Sequence, residues 1–565
     1  MTFQIPHLRK TATGQQLVVH DRPFLILGGE LQNSSMSSAK YMKRLWPWLK
    51  ENSINTVLGA VSWEGIEPEE GKFDFTELDQ TVLDARANGL HLILLYFGSW
   101  KNGMSSYAPG WVKKDKERFP RARIRGKGGR QQTVEVLSLF GQEAQQSDAR
   151  AFAALMQHLK EIDEKHSTVI MVQVENEIGL LDDSRDFSPL ADQRWQSPVP
   201  RDLVKSLLGE WDQLNEPLKN TLSVFKEKGH TVPDGTWGEV FGDNAHADQI
   251  FMAYHYALYT NQVASSGKSV YPLPMYTNGW QSCNAEERDP AFELKWAHFS
   301  QDPGHYPSGG PNVNVLDIWK MFCPSLDFIS PDIYLNRHES ACEQFLHRGN
   351  VLFCPEMRRD AHHARRVWTA LGNTRAIGTS PFGIDTVELE FGCNPYKRTY
   401  EILSAVAGTV LDAQAKPNTT FGFYFDEPSV NNSKDDIERK VTTLGGYKFT
   451  IRRSFVFGQP RAGSGMILWL GESRFLFLGF GYSVTVASTD EAVDYTGILT
   501  FHEMEPDDSS PGGLSKVRAL NGDETKGGTT IIMPNELIDF GDFNISITIP
   551  GETGIAAVEL YTLLS

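Results

Sequence analysis

At 565 residues the chain is longer than the ~250–300 residues at which a single core stops growing, so one large domain and one smaller one are expected. Its 71 Asp and Glu against 54 Lys and Arg give a net charge of −17, which repels nucleic acid and anionic membranes and makes a neutral or cationic substrate the better fit. The opening Met1 to Lys10 carries no apolar leader and no stretch reaches the ~18 apolar residues of a membrane span. As it stands the sequence reads as soluble and cytoplasmic, or as secreted or periplasmic if a leader was removed.

The five cysteines, Cys283, Cys323, Cys342, Cys354 and Cys393, are odd in number and contain no Cys-x-x-Cys spacing. Neither a full disulfide framework nor a zinc site is indicated, buried free thiols are expected, and no metal or cofactor is called for.

From about residue 24 to 395, apolar strand-like runs alternate with amphipathic helical segments, the pattern of repeated β-α units and a parallel sheet. The first run, Phe24 to Glu30, precedes a helix signal in Met42, Leu45, Trp46 and Leu49, which Pro47 is expected to kink. The second, Thr56 to Trp63, leads to a helix marked by Leu78, Val82 and Ala85. The third, Leu90 to Phe97, ends in Gly98-Ser99-Trp100-Lys101-Asn102, and a helix with Phe152, Leu155, Met156 and Leu159 on one face follows. The fourth, Val169 to Gly179, is an apolar run that stops abruptly at Glu175, Asn176 and Glu177. After a long insertion between Leu180 and Val240, strands are expected at Leu273 to Asn278, Leu326 to Tyr334, Asn350 to Glu356 and Ala376 to Phe382. These runs make an α/β chain whose residues 1–415 form a (β/α)8 TIM barrel. Beyond Lys416-Pro417, short alternating runs at Phe421 to Phe425, Met466 to Leu470, Phe475 to Leu478 and Ile545 to Ile549 predict an all-β, sandwich-like accessory domain over residues 416–565.

A strand buried on both faces has no structural use for an acid, and in a parallel barrel the C-terminal strand ends are where chemistry is done. Glu177 ends the fourth run and Glu356 the seventh. Retaining cleavage of a glycosidic bond needs one carboxylic acid to protonate the departing oxygen and one carboxylate to attack the anomeric carbon, ~5–5.5 Å apart, and these two are the best pair in the chain. The plainer reading of each is an acid neutralised by a salt bridge, with Arg358 and Arg359 as ready partners for Glu356.

The segments Gly-Gly-Glu-Leu-Gln-Asn-Ser-Ser from Gly28, Trp-Glu-Gly-Ile-Glu-Pro-Glu-Glu-Gly-Lys-Phe-Asp-Phe from Trp63, Phe-Gly-Ser-Trp-Lys-Asn from Phe97, Gln-Val-Glu-Asn-Glu-Ile-Gly from Gln173 and Pro-Glu-Met from Pro355 occur in the order that resembles glycoside hydrolase family 35, the β-galactosidases. The resemblance spans roughly residues 20 to 400, and the tail is similar to a β-rich domain found in one microbial branch. It implies Glu177 as general acid/base, Glu356 as nucleophile and Asn176 as a hydroxyl clamp, with removal of terminal β-galactose, in some cases from xyloglucan fragments. Ile178 and Met357 depart from the Tyr and Phe of more familiar members and favour the divergent branch.

Glu30, Trp63, Trp100, Lys101 and Tyr334 are further candidates at strand ends: Tyr334 to hydrogen-bond the nucleophile, Glu30 and Lys101 to hold hydroxyls, the Trp rings to stack on sugar. Ordinary packing or surface charge is the competing reading for each. Glu175 should point away from Asn176 and serve structure, and Glu64 is undecided. His362 and His363 are expected at the surface. The rival functions are a barrel glycosidase for another sugar, such as a β-glucosaminidase or endo-β-glycanase, and an inactive carbohydrate-binding barrel.

Overall fold

Eight parallel strands close into a barrel in chain order: β1 Ile26–Glu30, β2 Thr56–Ser62, β3 His91–Lys101, β4 Val169–Asn176, β5 Met275–Gly279, β6 Phe328–Ile333, β7 Cys354–Met357 and β8 Gly378–Pro381. They are the eight runs expected from the sequence. The computed structural model describes residues 4–126, 129–229, 234–282, 302–334, 337–428, 438–456, 459–507, 509–510, 513–535 and 551–564.

The pleat sends alternate side chains to opposite faces. Leu58, Ile93, Leu95 and Phe353 fill the barrel interior, whereas Val57, Leu92, Leu94 and Leu352 face the surrounding helices. Leu17 and Val19, from the N-terminal strand Gln15–Val19, join the interior cluster and close the barrel floor. Outside, the helix Gln142–Asp163 buries Phe152, Leu155, Met156 and Leu159. It packs on the helix Ala245–Lys268, which is also flanked by Leu316–Phe322 and is accordingly apolar around much of its circumference.

Three local expectations change. Pro47 does not kink a helix but lies in the first turn of Trp46–Glu51, after a separate Ala39–Met42; its missing N–H is harmless there. The strand β3 runs past Phe97 to Lys101. His363 is fully buried rather than at the surface.

The last barrel helix, Lys397–Gln414, is followed by the strand Thr420–Phe425, which opens a six-stranded sheet facing a four-stranded one. The expected run at Ile545 to Ile549 lies outside the described residues. In the strand Gly463–Gly471, Ile467 points into the sandwich core, while Met466 and Leu468 point the other way and merge with the barrel's outer layer. Phe475 and Phe477 against Leu476 and Leu478 repeat the division. The larger sheet is therefore buried on both faces, one of them against Ile402, Leu403 and Val406 of the last barrel helix. At Gly422 a side chain is excluded outright: a Cβ there would stand 1.9 Å from the carbonyl oxygen of Trp368. Among the described residues no helix is long and apolar enough to cross a membrane.

Candidate active site

The C-terminal end of β4 is bent so that neighbouring residues serve different purposes. Glu175 (φ 61°) and Glu177 (φ 45°) both adopt the left-handed region, uncommon for residues with a Cβ and concentrated at functional sites. The surrounding strands pin them there. The Glu177 N–H donates to Asn278 Oδ1 at 3.0 Å, and the N–H groups of Asn102 and Gly103 donate to the Asn176 and Glu177 carbonyls at 3.2 and 3.1 Å. This bend brings Asn176 and Glu177 to the mouth together, which a regular strand forbids.

Glu175 turns away from the mouth. Its carboxyl accepts the N–H groups of Ser99 (3.2 Å) and Trp100 (2.8 Å) at the end of β3 and shares a hydrogen bond with Asp148. Asp148 in turn accepts from Tyr96 and Ser99 hydroxyls at 2.9 and 2.6 Å. Burial, and then the charge of Asp148, hold Glu175 well above the ordinary carboxyl range, so this pair keeps a proton. The pair locks the end of β3 to that of β4. Gly98 makes room for it, since a Cβ there would lie 2.6 Å from an oxygen of each acid.

Glu177, Asp332 and Glu356 each place an oxygen within 4.8 Å of the other two, and all three are buried. Asp332 stands opposite Glu356 in the register of β6 and β7. The Tyr334 hydroxyl donates to Glu356 Oε1, and Asn278 Nδ2 donates to Asp332 Oδ2 at 2.8 Å. The Glu177 carboxyl shares hydrogen bonds with the Trp280 and Asp332 side chains; two carboxyls can be joined in this way only when one of them is protonated. Lys101 Nζ donates to Asn176 Oδ1 at 2.9 Å. At the end of β1, Glu30 adds a fourth buried carboxyl.

One lysine among four acids sets the protonation. Burial pushes Glu177 up to about 7, the charge of Glu356 adds to this, and Lys101 opposes it. Burial and then Glu356 raise Asp332 and Glu30 well above the usual carboxyl range. Burial works against the Lys101 cation, but Glu356, Glu177, Glu30 and Asp332 outweigh it and its pKa is raised. Glu30 Oε1, Asn176 Nδ2 and Glu356 Oε2 are buried with no hydrogen-bond partner among the described residues. Buried groups of this kind call for a further partner.

Six residues singled out in the sequence thus converge: Glu177, Glu356, Asn176, Tyr334, Glu30 and Lys101. Trp63 and Trp100 do not, and the sugar-stacking expectation for them is corrected. Trp63 donates from Nε1 to Glu67 at 2.7 Å and packs edge-on against Trp111. Trp100 lies between Tyr256 and Tyr259, with ring centroids at 5.1 and 4.5 Å. With Lys101 pointing into the barrel, strand parity sends Trp100 out to the helices. Glu64 pairs with Lys113 at the surface. Asp332, Asn278 and Trp280 were not singled out, although Asp332 shares a face with Tyr334 two positions on. Beyond β5 and β6 a cavity of about 370 Å³ is lined by polar groups that include Gln281, Ser282, Asn314, Arg337 and Gln344.

A family model described as beta-galactosidase, that of glycoside hydrolase family 42, matches residues 37–224, a segment that holds β2 to β4 with Lys101, Asn176 and Glu177. A second model, for a domain of unknown function, matches residues 396–532. A curated beta-galactosidase from Xanthomonas manihotis is 30% identical over 188 residues, which is 32% of this chain and 28% of the relative. The alignment therefore spans less than a third of the relative's length. Among solved structures, a beta-galactosidase from Bacillus circulans sp. alkalophilus aligns with a TM-score of 0.46 and 15% identity over 69% of this chain and 57% of its own. One from the psychrophilic Marinomonas ef1 gives 0.45 and 12% over 69% and 62%. The segment from β2 to β4 is thus similar in sequence to beta-galactosidases.

Proposed function

We propose that this chain is a glycoside hydrolase, and within that class a retaining exo-β-galactosidase that removes terminal non-reducing β-D-galactose from oligosaccharides, xyloglucan-derived fragments included. The observation that carries the reading is the approach of Glu177 and Glu356, with carboxyl oxygens within 4.8 Å across the barrel mouth. Inverting enzymes hold their two carboxyl groups ~6.5–9.5 Å apart to admit a water, retaining ones ~5–5.5 Å apart.

In the first step protonated Glu177 gives its proton to the departing oxygen while Glu356 bonds to the anomeric carbon. The Tyr334 hydroxyl occupies Glu356 Oε1, which leaves the unpartnered Oε2 as the attacking atom. Formation of the glycosyl ester removes the Glu356 charge that helps raise Glu177. The pKa of Glu177 then falls, and the group acts as base toward the water that cleaves the ester. Asn176, oriented by Lys101, offers Nδ2 to a sugar hydroxyl, and Glu30 accepts from another.

Galactose as the sugar is supported by two likenesses that share much of the same segment, the ordered motifs similar to family 35 and the family 42 match over residues 37–224, both described as β-galactosidases. The family model that matches is that of family 42, a different family from the one the motifs resemble, so placement in family 35 rests on the motifs alone. The test is a panel of aryl glycosides, followed by trapping with a 2-deoxy-2-fluorogalactoside and peptide mass mapping. The reading requires turnover of the β-galactoside with β-galactose as the first product and the label on Glu356. Preference for a glucosaminide or an internal linkage, or a label elsewhere, overturns it.

A further inference from the structure

On the outer side of β7, away from the mouth, three soft donors meet in a space closed to solvent. His338 and Cys342 lie one turn apart on the helix His338–Phe345, so they share a face. Cys354 opens β7 and points out toward that helix, whereas its neighbour Phe353 points into the barrel. Cys342 Sγ is 3.6 Å from His338 Nδ1 and 3.9 Å from Cys354 Sγ. One donor atom from each of the three lies within 4.8 Å of the other two, and the three residues have no exposed surface.

These spacings are those of ligands around a shared centre. For a tetrahedral ion with Zn–S ~2.3 Å and Zn–N ~2.0–2.1 Å, two sulfurs stand about 3.8 Å apart and a sulfur and a nitrogen about 3.6 Å. A disulfide would need about 2.05 Å between the sulfurs. A second observation concerns His338 itself. Among the described residues its Nε2 is buried without a hydrogen-bond partner and its Nδ1 meets only a thiol, a weak donor and acceptor. An ion among the three donors would engage Nδ1, whose present contact with a thiol is weak, and would leave the ring proton on Nε2.

We propose that His338, Cys342 and Cys354 form a binding site for a thiophilic closed-shell cation, Zn²⁺ or Cu⁺. Binding releases the two thiol protons to solvent, and two thiolates with a neutral imidazole then balance the charge of Zn²⁺ and leave the Cu⁺ site with one negative charge. For Cu⁺ three donors complete a trigonal site; for Zn²⁺ they leave one tetrahedral position for a water. The ion fastens the helix to the strand that carries Glu356, two residues beyond Cys354. The site is independent of the glycosidase reading, and neither its presence nor its absence bears on which sugar is cleaved.

The test uses the full chain, reduced and stripped with a chelator, then titrated with Co²⁺ as a spectroscopic probe and separately with Zn²⁺ and Cu⁺. One equivalent of Co²⁺ should give thiolate-to-metal charge-transfer bands with intense visible bands, displaced by Zn²⁺. Mass spectrometry should find one equivalent of Zn²⁺ or Cu⁺ bound. Cys342→Ser and Cys354→Ser should lose the bands, and Cys393→Ser, at an exposed cysteine, should keep them. Should both Ser variants fail to fold, the wild-type stoichiometry and bands decide. No uptake of any of the three ions by wild type, bands that persist in both variants, or a Cys342–Cys354 disulfide in peptide mapping overturns the proposal.

Discussion

Asp332 stands directly opposite Glu356 on neighbouring parallel strands, and across the mouth its carboxyl meets that of Glu177. Three acids in mutual contact cannot all be ionised, so the proton that Glu177 hands over is held by the company it keeps.

Removing either partner in the reaction should separate the two steps. With aryl β-galactosides, Glu356→Gly is expected to lower kcat by at least about 10⁴-fold. Glu177→Ala should lose about 10²–10⁴-fold on substrates with poor leaving groups and much less in the first step on those with good ones. Added azide should restore turnover in Glu177→Ala and yield β-galactosyl azide. Near-normal kinetics in either variant would remove both assignments.

The alkaline limb of kcat/KM should fall near pH 7, where Glu177 loses its proton. Lys101 opposes the rise in the Glu177 pKa, so Lys101→Met should move that limb to higher pH as well as weaken substrate binding. A pH profile of the two proteins reads the shift directly, and a limb that stays in place contradicts the coupling.

Tyr334→Phe deletes the hydroxyl that donates to Glu356 Oε1 and leaves the ring. A loss of about 10–100-fold in kcat is expected, with a thermal midpoint close to wild type. Pre-steady-state kinetics should place the loss in formation of the glycosyl ester.

Stability should run against activity. Glu177 has a folded pKa of about 7 against an ordinary 4.5, so the folded state binds more protons between these values and stability declines as pH rises through that window. Glu177→Gln is uncharged throughout. Its melting midpoint should exceed that of wild type by a margin that widens from about pH 5 to about pH 8, by ~2 °C or more at the upper end. Calorimetry across this range provides the comparison, and an unchanging margin would contradict it.

Gly422→Val should destabilise the chain by on the order of 1–3 kcal/mol through overpacking, because the added Cβ meets the Trp368 carbonyl. Denaturant titration followed by tryptophan fluorescence measures the effect, and wild-type stability would show that the strand can lift away from the helix.

The barrel was legible because buried parallel strands are written as apolar runs, and Glu177 and Glu356 were legible because an acid ending such a run has no packing reason to be there. Trp63 and Trp100 were misplaced for the opposite cause. Aromatic residues at strand ends suit both a sugar and a core; for Trp100 the parity set by Lys101 decides, and Trp63 opens a short helix, Trp63–Ile66, with its ring against Trp111. Asp332 escaped notice because it lies inside a run expected to be strand as far as Tyr334, not at its end, where an acid stands out. The meeting of His338, Cys342 and Cys354 is likewise invisible in linear spacing, since a helix and a strand must first be laid side by side.

The sheet that presents Met466 and Leu468 to the barrel and Ile467 to its sister sheet leaves no natural place to cut the polypeptide. Severed after Gln414, each fragment would offer a greasy wall to water, and the shorter one would clump instead of persisting as a free module. Co-expressed, the two pieces should reassemble; as a portable cassette for grafting onto unrelated enzymes, the C-terminal piece is unsuited.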